Sequence, residues 1–380
     1  MNTIRKDKNS VLFQTFDYGP LRLRNRVAMA PMTRKQSPSG VPTEDVARYY
    51  ERRAAGGVGL IFSEGTFIDH PSAQAHEPDA YENIPYFFGR DALKGWEAVR
   101  KKVHASGAKM MPQLWHVGEV RRLGMAPDPT VPGFGPRDIE QDGQHVVKAM
   151  DEKDMDAIAR SYARGALLAR EIGFDGVALH GAHGYLLDQF LWPETNLRGD
   201  GYGGDLAARM RFPCEVVARM RDYVGPDFPI VFRFSQWKMG DYQAKIVENA
   251  EALGTLLSGL TNAGVDMFDV STRRFGDAAF ETGPESLAAL TRKLSGKPTI
   301  AVGSIGLDQP HQSKHYRKTA SIDAKVTDLI DVTTAMRGGE FDIASVGRAV
   351  LADPDWANKV RDGRTDDIRP FVRANLETYW

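Results

Sequence analysis

The chain has 380 residues, 42% hydrophobic and 26% charged, enough to bury a large core either as one α/β barrel or as two modest domains. A formal net charge of −1 excludes the basic field of a nucleic-acid binder, so the expected partner is a small molecule. One cysteine, Cys214, excludes an internal disulfide, and no apolar run approaches the ~18 residues of a membrane span. With no secretory core in the opening MNTIRKDKNSVLFQTF, a reducing cytoplasm is the expected location.

Residues 11–26, VLFQTFDYGPLRLRNR, read as a hairpin around Tyr-Gly-Pro, with Leu21 and Leu23 on one face and Arg22 and Arg24 on the other. The run 27–32, VAMAPM, suits a strand buried on both faces. Thr43 is placed to cap a helix that Gly56 and Gly57 end. The next strand is 58–64, followed by a helix with Leu93, Trp96, Val99 and Val103 at helical spacing and by the strand KMMPQLW, 109–115. The Pro- and Gly-rich stretch 118–147 is about thirty residues long, more than a connection needs, and reads as a functional loop or lid.

Asp151 or Asp154 starts a helix running to Ile172, which delivers the chain to the strand GVALH, 176–180. Helices at about 205–223, 247–263, 285–294 and 326–336 then alternate with strands at 229–235, 267–271, 299–305 and 341–348, and 354–361 reads as a last helix. Eight apolar runs, each followed by a helix, predict a single (β/α)8 TIM barrel of the α/β class. The expected organisation is one domain over 1–380: an N-terminal β-hairpin cap (1–26), a barrel (27–362) with a long loop after strand 3, and a C-terminal tail (363–380).

In such a barrel the reactive groups stand at the C-terminal ends of the strands. Those positions hold Pro31, Met32 and Thr33 after the first strand, Glu64 and Gly65 after the second, and Gln113, Trp115 and His116 after the third. The fourth supplies His180, His183 and Tyr185, the fifth Arg233, the seventh Gly303 and Ser304, and the eighth Gly347 and Arg348. Glycines after a strand are ordinary turns. Side by side on strands seven and eight, with Arg348, they instead fit a phosphate site. Arg233 inside a barrel demands either a carboxylate partner or a ligand. A metal is not expected at His180 and His183, for which only His116 offers a third ligand. Asp188, Arg209, Arg211 and Glu215 are expected in ion pairs, Trp96 in the core, and His76, His104, His145, His311 and His315 in solvated or loop positions.

The segment 173–212, GFDGVALHGAHGYLLDQFLWPETNLRGDGYGGDLAARMRF, together with LRNRVAMAPMTR, PQLWHVG and VGRAVLADPDW, closely resembles the Old Yellow Enzyme family of FMN-dependent ene-reductases. The resemblance covers nearly the whole chain in order. It implies FMN held by Pro31, Met32, Thr33, Gly65, Gln113, Arg233, Gly303, Ser304, Gly347 and Arg348, with NAD(P)H as electron donor. It further implies that His180 and His183 bind the carbonyl or nitro oxygen of an activated alkene, that Tyr185 gives a proton to its α-carbon, and that Trp115 and Trp237 contact the substrate. A phenol with a reference pKa of about 10 keeps its proton at neutral pH. The expected reaction is ping-pong reduction of a C=C bond by hydride through flavin N5.

Some relatives add an iron–sulfur cluster and a dinucleotide domain, which a chain with Cys214 alone is not expected to carry. A competing reaction on the same scaffold is oxidative N-demethylation of an amine, with Trp115, Trp192 and Trp237 as an aromatic cage. A non-redox phosphate-binding barrel is the competitor from another class. The physiological alkene, the choice between NADH and NADPH, a homo-oligomeric state, and the roles of the 307–325 insertion and of Tyr379-Trp380 stay open.

Overall fold

Alanine, valine, methionine and isoleucine runs with no polar face must be covered on both sides, and a parallel sheet closed on itself inside a ring of helices does this. The computed structural model, which describes residues 10–76, 82–311 and 323–379, has that arrangement. The hairpin strands are β1 (Phe16–Tyr18) and β2 (Leu21–Leu23). The barrel strands are β3 (Val27–Met29), β4 (Leu60–Phe67) and β5 (Lys109–Trp115) and, after an excursion formed by β6 (Gly133–Gly135), β7 (Ile139–Gln141) and β8 (Gln144–Ala149), β9 (Val177–His183), β10 (Ile230–Lys238), β11 (Met267–Ser271), β12 (Thr299–Val302) and β13 (Ile343–Val346). They close in the order β3-β4-β5-β9-β10-β11-β12-β13, every pair parallel.

The helices are α1 (Glu44–Ala55), α2 (Arg90–Ala105), α3 (Glu152–Glu171), α4 (Leu186–Leu191), α5 (Leu206–Val224), α6 (Ala250–Ala263), α7 (Leu287–Ser295), α8 (Ile330–Arg337), α9 (Arg348–Ala352) and α10 (Trp356–Arg361). Thr43 caps α1 by accepting from the Val46 amide, and Asp151 closes a capping box with Asp154 at the start of α3. Trp96 is fully buried. No helix among the described residues is long and apolar enough to cross a membrane.

The two-residue period of each strand sorts its side chains. On β10 Ile230, Phe232 and Phe234 face the helices, while Val231 joins an inner layer with Ala178, Met267, Ile300 and Ile343. Phe16, Leu21 and Leu23 of the hairpin complete that layer and plug the lower end of the barrel. Each such buried side chain stabilises by about 1.5–3 kcal/mol relative to exposure, which holds a hairpin too small to be stable alone.

Several boundaries differ from the sequence expectation. Strand β4 runs on to Phe67 because a bulge between Phe62 and Gly65 absorbs Glu64, so Gly65 rather than Glu64 lies opposite Gln113. Helix α6 starts at Ala250, where the Asn249 side chain caps the Ala252 amide, and α8 starts only at Ile330, since Val326 is bridged to Leu307. The stretch expected as a loop is a small sheet. β8 pairs parallel with β6 and antiparallel with β7, the latter through Asp142-Gly143, both with positive φ. Expectations for residues 1–9, 312–322 (with His315) and Trp380 lie outside the described residues. Tyr379 stacks on Tyr49 at 4.6 Å.

Candidate active site

The same alternation that places Val231 and Met267 low in the barrel places Arg233, Asp269 and Ser271 above them, facing inward. The ladder pairs His180 with Arg233 and Arg233 with Asp269, so three polar side chains of neighbouring strands share one layer. Arg233 donates to Asp269 at 2.5 Å and to the Ser271 hydroxyl at 3.2 Å. The carboxylate partner and the ligand-facing position, alternatives in the sequence, therefore coexist: Arg233 is paired and still lines the cavity above.

That cavity, about 430 Å³, sits at the C-terminal ends of the strands. Its wall brings together Pro31, Met32, Thr33, Gly65, Gln113, Trp115, His180, His183, Tyr185, Arg233, Trp237, Gly303, Ser304, Gly347 and Arg348. His116 is not among the lining residues; it is fully buried behind them, bonded to Ser72 at 3.0 Å.

His183 ends β9 with φ +65°, a left-handed conformation that is uncommon for a residue other than glycine. The Ser235 hydroxyl accepts from its amide at 3.1 Å, Ser271 bonds its Nε2 at 2.8 Å, and its ring stacks on Trp237 at 4.3 Å. His180 lies 5.0 Å from both His183 and Tyr185, ring to ring, and Tyr185 meets Trp115 edge-on at 4.8 Å. Burial and then the Arg233 charge hold His180 well below the ordinary imidazole pKa; burial, His180, Arg233 and Lys238 do the same to His183. Both rings are neutral at pH 7, each with one N–H to donate. The Tyr185 hydroxyl donates to the Met239 sulfur at 3.6 Å, a weak acceptor.

Gln113 Nε2, His180 Nδ1 and Arg348 Nη1 are among the buried polar atoms on the wall that have no hydrogen-bond partner among the described residues. A buried donor left unmade costs roughly 1–3 kcal/mol, so a ligand is the natural complement. The two glycines near Arg348 differ. At Gly303, φ +154°, a Cβ would sit 2.6 Å from Thr272 Oγ1 and 2.7 Å from the Phe275 nitrogen, so the protein's own packing demands glycine. At Gly347 the nearest atom would be Met32 Sδ at 3.7 Å, and packing alone demands nothing.

Sequence reasoning missed Asp269, Ser271, Arg273, Lys238 and Met239. For the first two the signal was present, since Met267-x-Asp269-x-Ser271 alternates on strand six. It also placed Asp188 only loosely: the carboxylate is fully buried, paired with Lys238 Nζ at 2.8 Å, and accepts from the Gly184 amide at 2.6 Å. Arg211 and Glu215 pair at 2.9 Å, whereas Arg209 turns to the backbone carbonyls of Leu191 and Gly204 instead of a carboxylate. His104 is not solvated but bonded to Asp175 at 2.6 Å, and His311 lines the cavity. Trp192 packs beside Lys238, 5.7 Å from its Nζ, and is not among the lining residues, so the three-tryptophan cage is not assembled.

Residues 11–367 match the NADH:flavin oxidoreductase / NADH oxidase family. The chain is 32% identical over 388 residues to an NADH oxidase of Thermoanaerobacter brockii, an alignment that covers 96% of this chain and 53% of that protein, so it spans about half the oxidase's length. It is 33% identical over 388 residues to 12-oxophytodienoate reductase 7 of Oryza sativa subsp. japonica, covering 98% and 93%. Among solved structures, morphinone reductase in complex with tetrahydroNAD superposes with a TM-score of 0.77 at 25% identity over 96% of this chain and 93% of that one.

Proposed function

The chain belongs to the NADH:flavin oxidoreductase / NADH oxidase family, and from that premise we propose that it is an FMN-dependent enzyme using NAD(P)H to reduce the C=C bond of an α,β-unsaturated carbonyl or nitro compound. The observation that carries this reading is the convergence of unpartnered buried donors from three separate strand ends on one cavity that also holds two neutral histidines and a tyrosine. The relatives matched almost end to end are named as reductases, and one solved neighbour binds a nicotinamide derivative, which supports the donor.

The residues present fit FMN. Gln113 carries both a donor and an acceptor, as the pyrimidine edge of a flavin requires. Arg233 offers a fixed cation for the negative charge of the reduced ring, and Pro31, Met32, Thr33 and Gly65 would supply contacts along its other side. Gly303, Ser304, Gly347 and Arg348 would hold the phosphate, with the bare Gly347 amide and the unpartnered Arg348 Nη1 as donors. When bound, FMN supplies the hydride relay between the nicotinamide and the alkene.

The rest of the chemistry falls to the chain itself. His180 and His183 donate their N–H groups to the carbonyl or nitro oxygen and so polarise the conjugated bond; Ser271 and Trp237 fix the second of these rings. Tyr185 holds a proton on a hydroxyl whose sulfur partner grips it weakly, and delivers it to the α-carbon. Trp115 and Trp237 form the walls against which the substrate lies. Donor and alkene take turns in the one cavity, a ping-pong order.

The purified protein is expected to be yellow, or to become so with FMN, and to reduce cyclohexenone or maleimide with NAD(P)H. A colourless protein that takes up no flavin would return the non-redox barrel. Turnover of methylated amino acids alone would replace ene-reduction with N-demethylation.

A further inference from the structure

We infer that Arg273 receives an anionic group on the ligand that stacks in this cavity, a carboxylate of the alkene or a phosphate of the nicotinamide donor. The inference rests on the ene-reductase reading and adds to it a class of ligand.

The cavity wall contains four arginines, Arg34, Arg233, Arg273 and Arg348, and neither aspartate nor glutamate. Three of the four have work elsewhere. Arg233 is paired with Asp269, Arg34 Nη2 donates to the carbonyls of Thr378 and Asn375, and Arg348 donates to the Gln309 carbonyl beside the phosphate position. Arg273, two residues beyond Ser271, has no carboxylate or hydrogen-bond acceptor on its guanidinium among the described residues.

The guanidinium is nevertheless held in place. It lies 3.7 Å over the Tyr242 ring and 5.7 Å from the Trp237 centroid, and its backbone carbonyl accepts from the Ser304 hydroxyl at 2.9 Å. Aromatic faces fix such a cation without consuming its N–H edge. Trp237 is also the ring stacked on His183. A ligand whose oxygen meets His183 therefore needs to extend only across one indole to bring a second, charged group to Arg273. The cationic crowding has a second mark: burial and then the Arg273 charge lower Arg348 to about 10.

The test uses the flavin-loaded enzyme and Arg273→Ala. Calorimetric binding of 3-oxocyclohexane-1-carboxylate, a saturated analogue that does not react, is compared with cyclohexanone. Flavin reduction by NADH is compared with reduction by N-benzyl-1,4-dihydronicotinamide, which has no phosphate. Loss of a charge-assisted hydrogen bond predicts about 10- to 100-fold weaker binding of the charged ligand and a change within about twofold for the neutral one. A loss confined to the carboxylate assigns the anion to the alkene, a loss confined to NADH assigns it to the donor, and a loss in both supports a shared site. If charged and neutral ligands weaken together, or none weakens, the inference is wrong. Arg273→Gln, which keeps the side-chain stem over Tyr242, repeats the series should the alanine variant lose flavin. Failure of wild-type enzyme to reduce cyclohexenone would sink the ene-reductase reading instead, and leaves the calorimetric comparison standing.

Discussion

Strand β10 contributes a cation to each of two buried ion pairs, Arg233 with Asp269 at 2.5 Å and Lys238 with Asp188 at 2.8 Å. Lys238 spends its point charge inward, on Asp188 and on the Ser235 carbonyl. Asp188 in turn accepts from the Gly184 amide, next to Tyr185, and Lys238 precedes Met239, on whose sulfur the Tyr185 hydroxyl rests. That pair is a tie between the fourth and fifth strand ends. Arg233 serves its carboxylate with one nitrogen and Ser271 with another, and its fork still lines the cavity. The difference teaches that a planar guanidinium can be anchored and presented at once, whereas a buried ammonium is consumed by its anchor.

The comparison breaks most visibly at Lys238. Lys238→Met leaves Asp188 buried without its cation and is expected to cost about 3–5 kcal/mol in denaturant unfolding. Adding Asp188→Leu should restore much of it; a single variant as stable as wild type would mean that the tie carries nothing.

Glu64 sharpens the comparison from the other side, as a buried carboxyl held among the described residues by backbone amides. Its carboxylate accepts from the backbone amides of Arg34 at 2.7 Å and Lys35 at 3.1 Å, yet burial raises it to about 7. Because the folded value lies above the unfolded one, its favourable contribution is fully present below pH about 4.5 and is lost as pH rises through about 7. Relative to Glu64→Gln, wild type should lose on the order of 3 kcal/mol across that window, read from melting curves at each pH. Parallel curves would contradict the shift. His180 and His183 act in the opposite sense: with folded values depressed, their contribution is complete above about pH 6.5 and is lost as pH falls below it.

The smallest of these effects concerns Arg233. Arg233→Met should weaken FMN by about 10- to 100-fold by equilibrium dialysis, while Lys238→Met retains flavin under conditions in which it is folded. Equal loss of flavin in both would erase the distinction between the pairs.

Much of this was readable because barrel strands carry their own period. Apolar runs of five to eight residues located all eight strands, and the rule that function gathers at their C-terminal ends collected Gln113, His180, His183, Arg233 and Arg348 before any contact was known. What escaped has physical causes. Asp269 and Ser271 belong to the sixth strand, Met267–Ser271, where only the two-residue alternation marks them as inward-facing. The bulge at Glu64 adds a residue that periodicity does not announce. The sheet at 133–149 hid in a stretch judged by its prolines, although Asp142-Gly143 is a hairpin signal. Lys238, Met239 and Arg273 acquire meaning only from strands that are distant in sequence.

The central claim is that this corner of the barrel separates hydride delivery from proton delivery, with Tyr185 responsible for the second. Stopped-flow spectroscopy of Tyr185→Phe, following flavin reduction by NADH and then reoxidation by cyclohexenone, tests it most directly. The account predicts flavin reduction within about twofold of wild type and reoxidation slowed by roughly 10²–10⁴. An equal loss in both half-reactions, or none in the second, would contradict it.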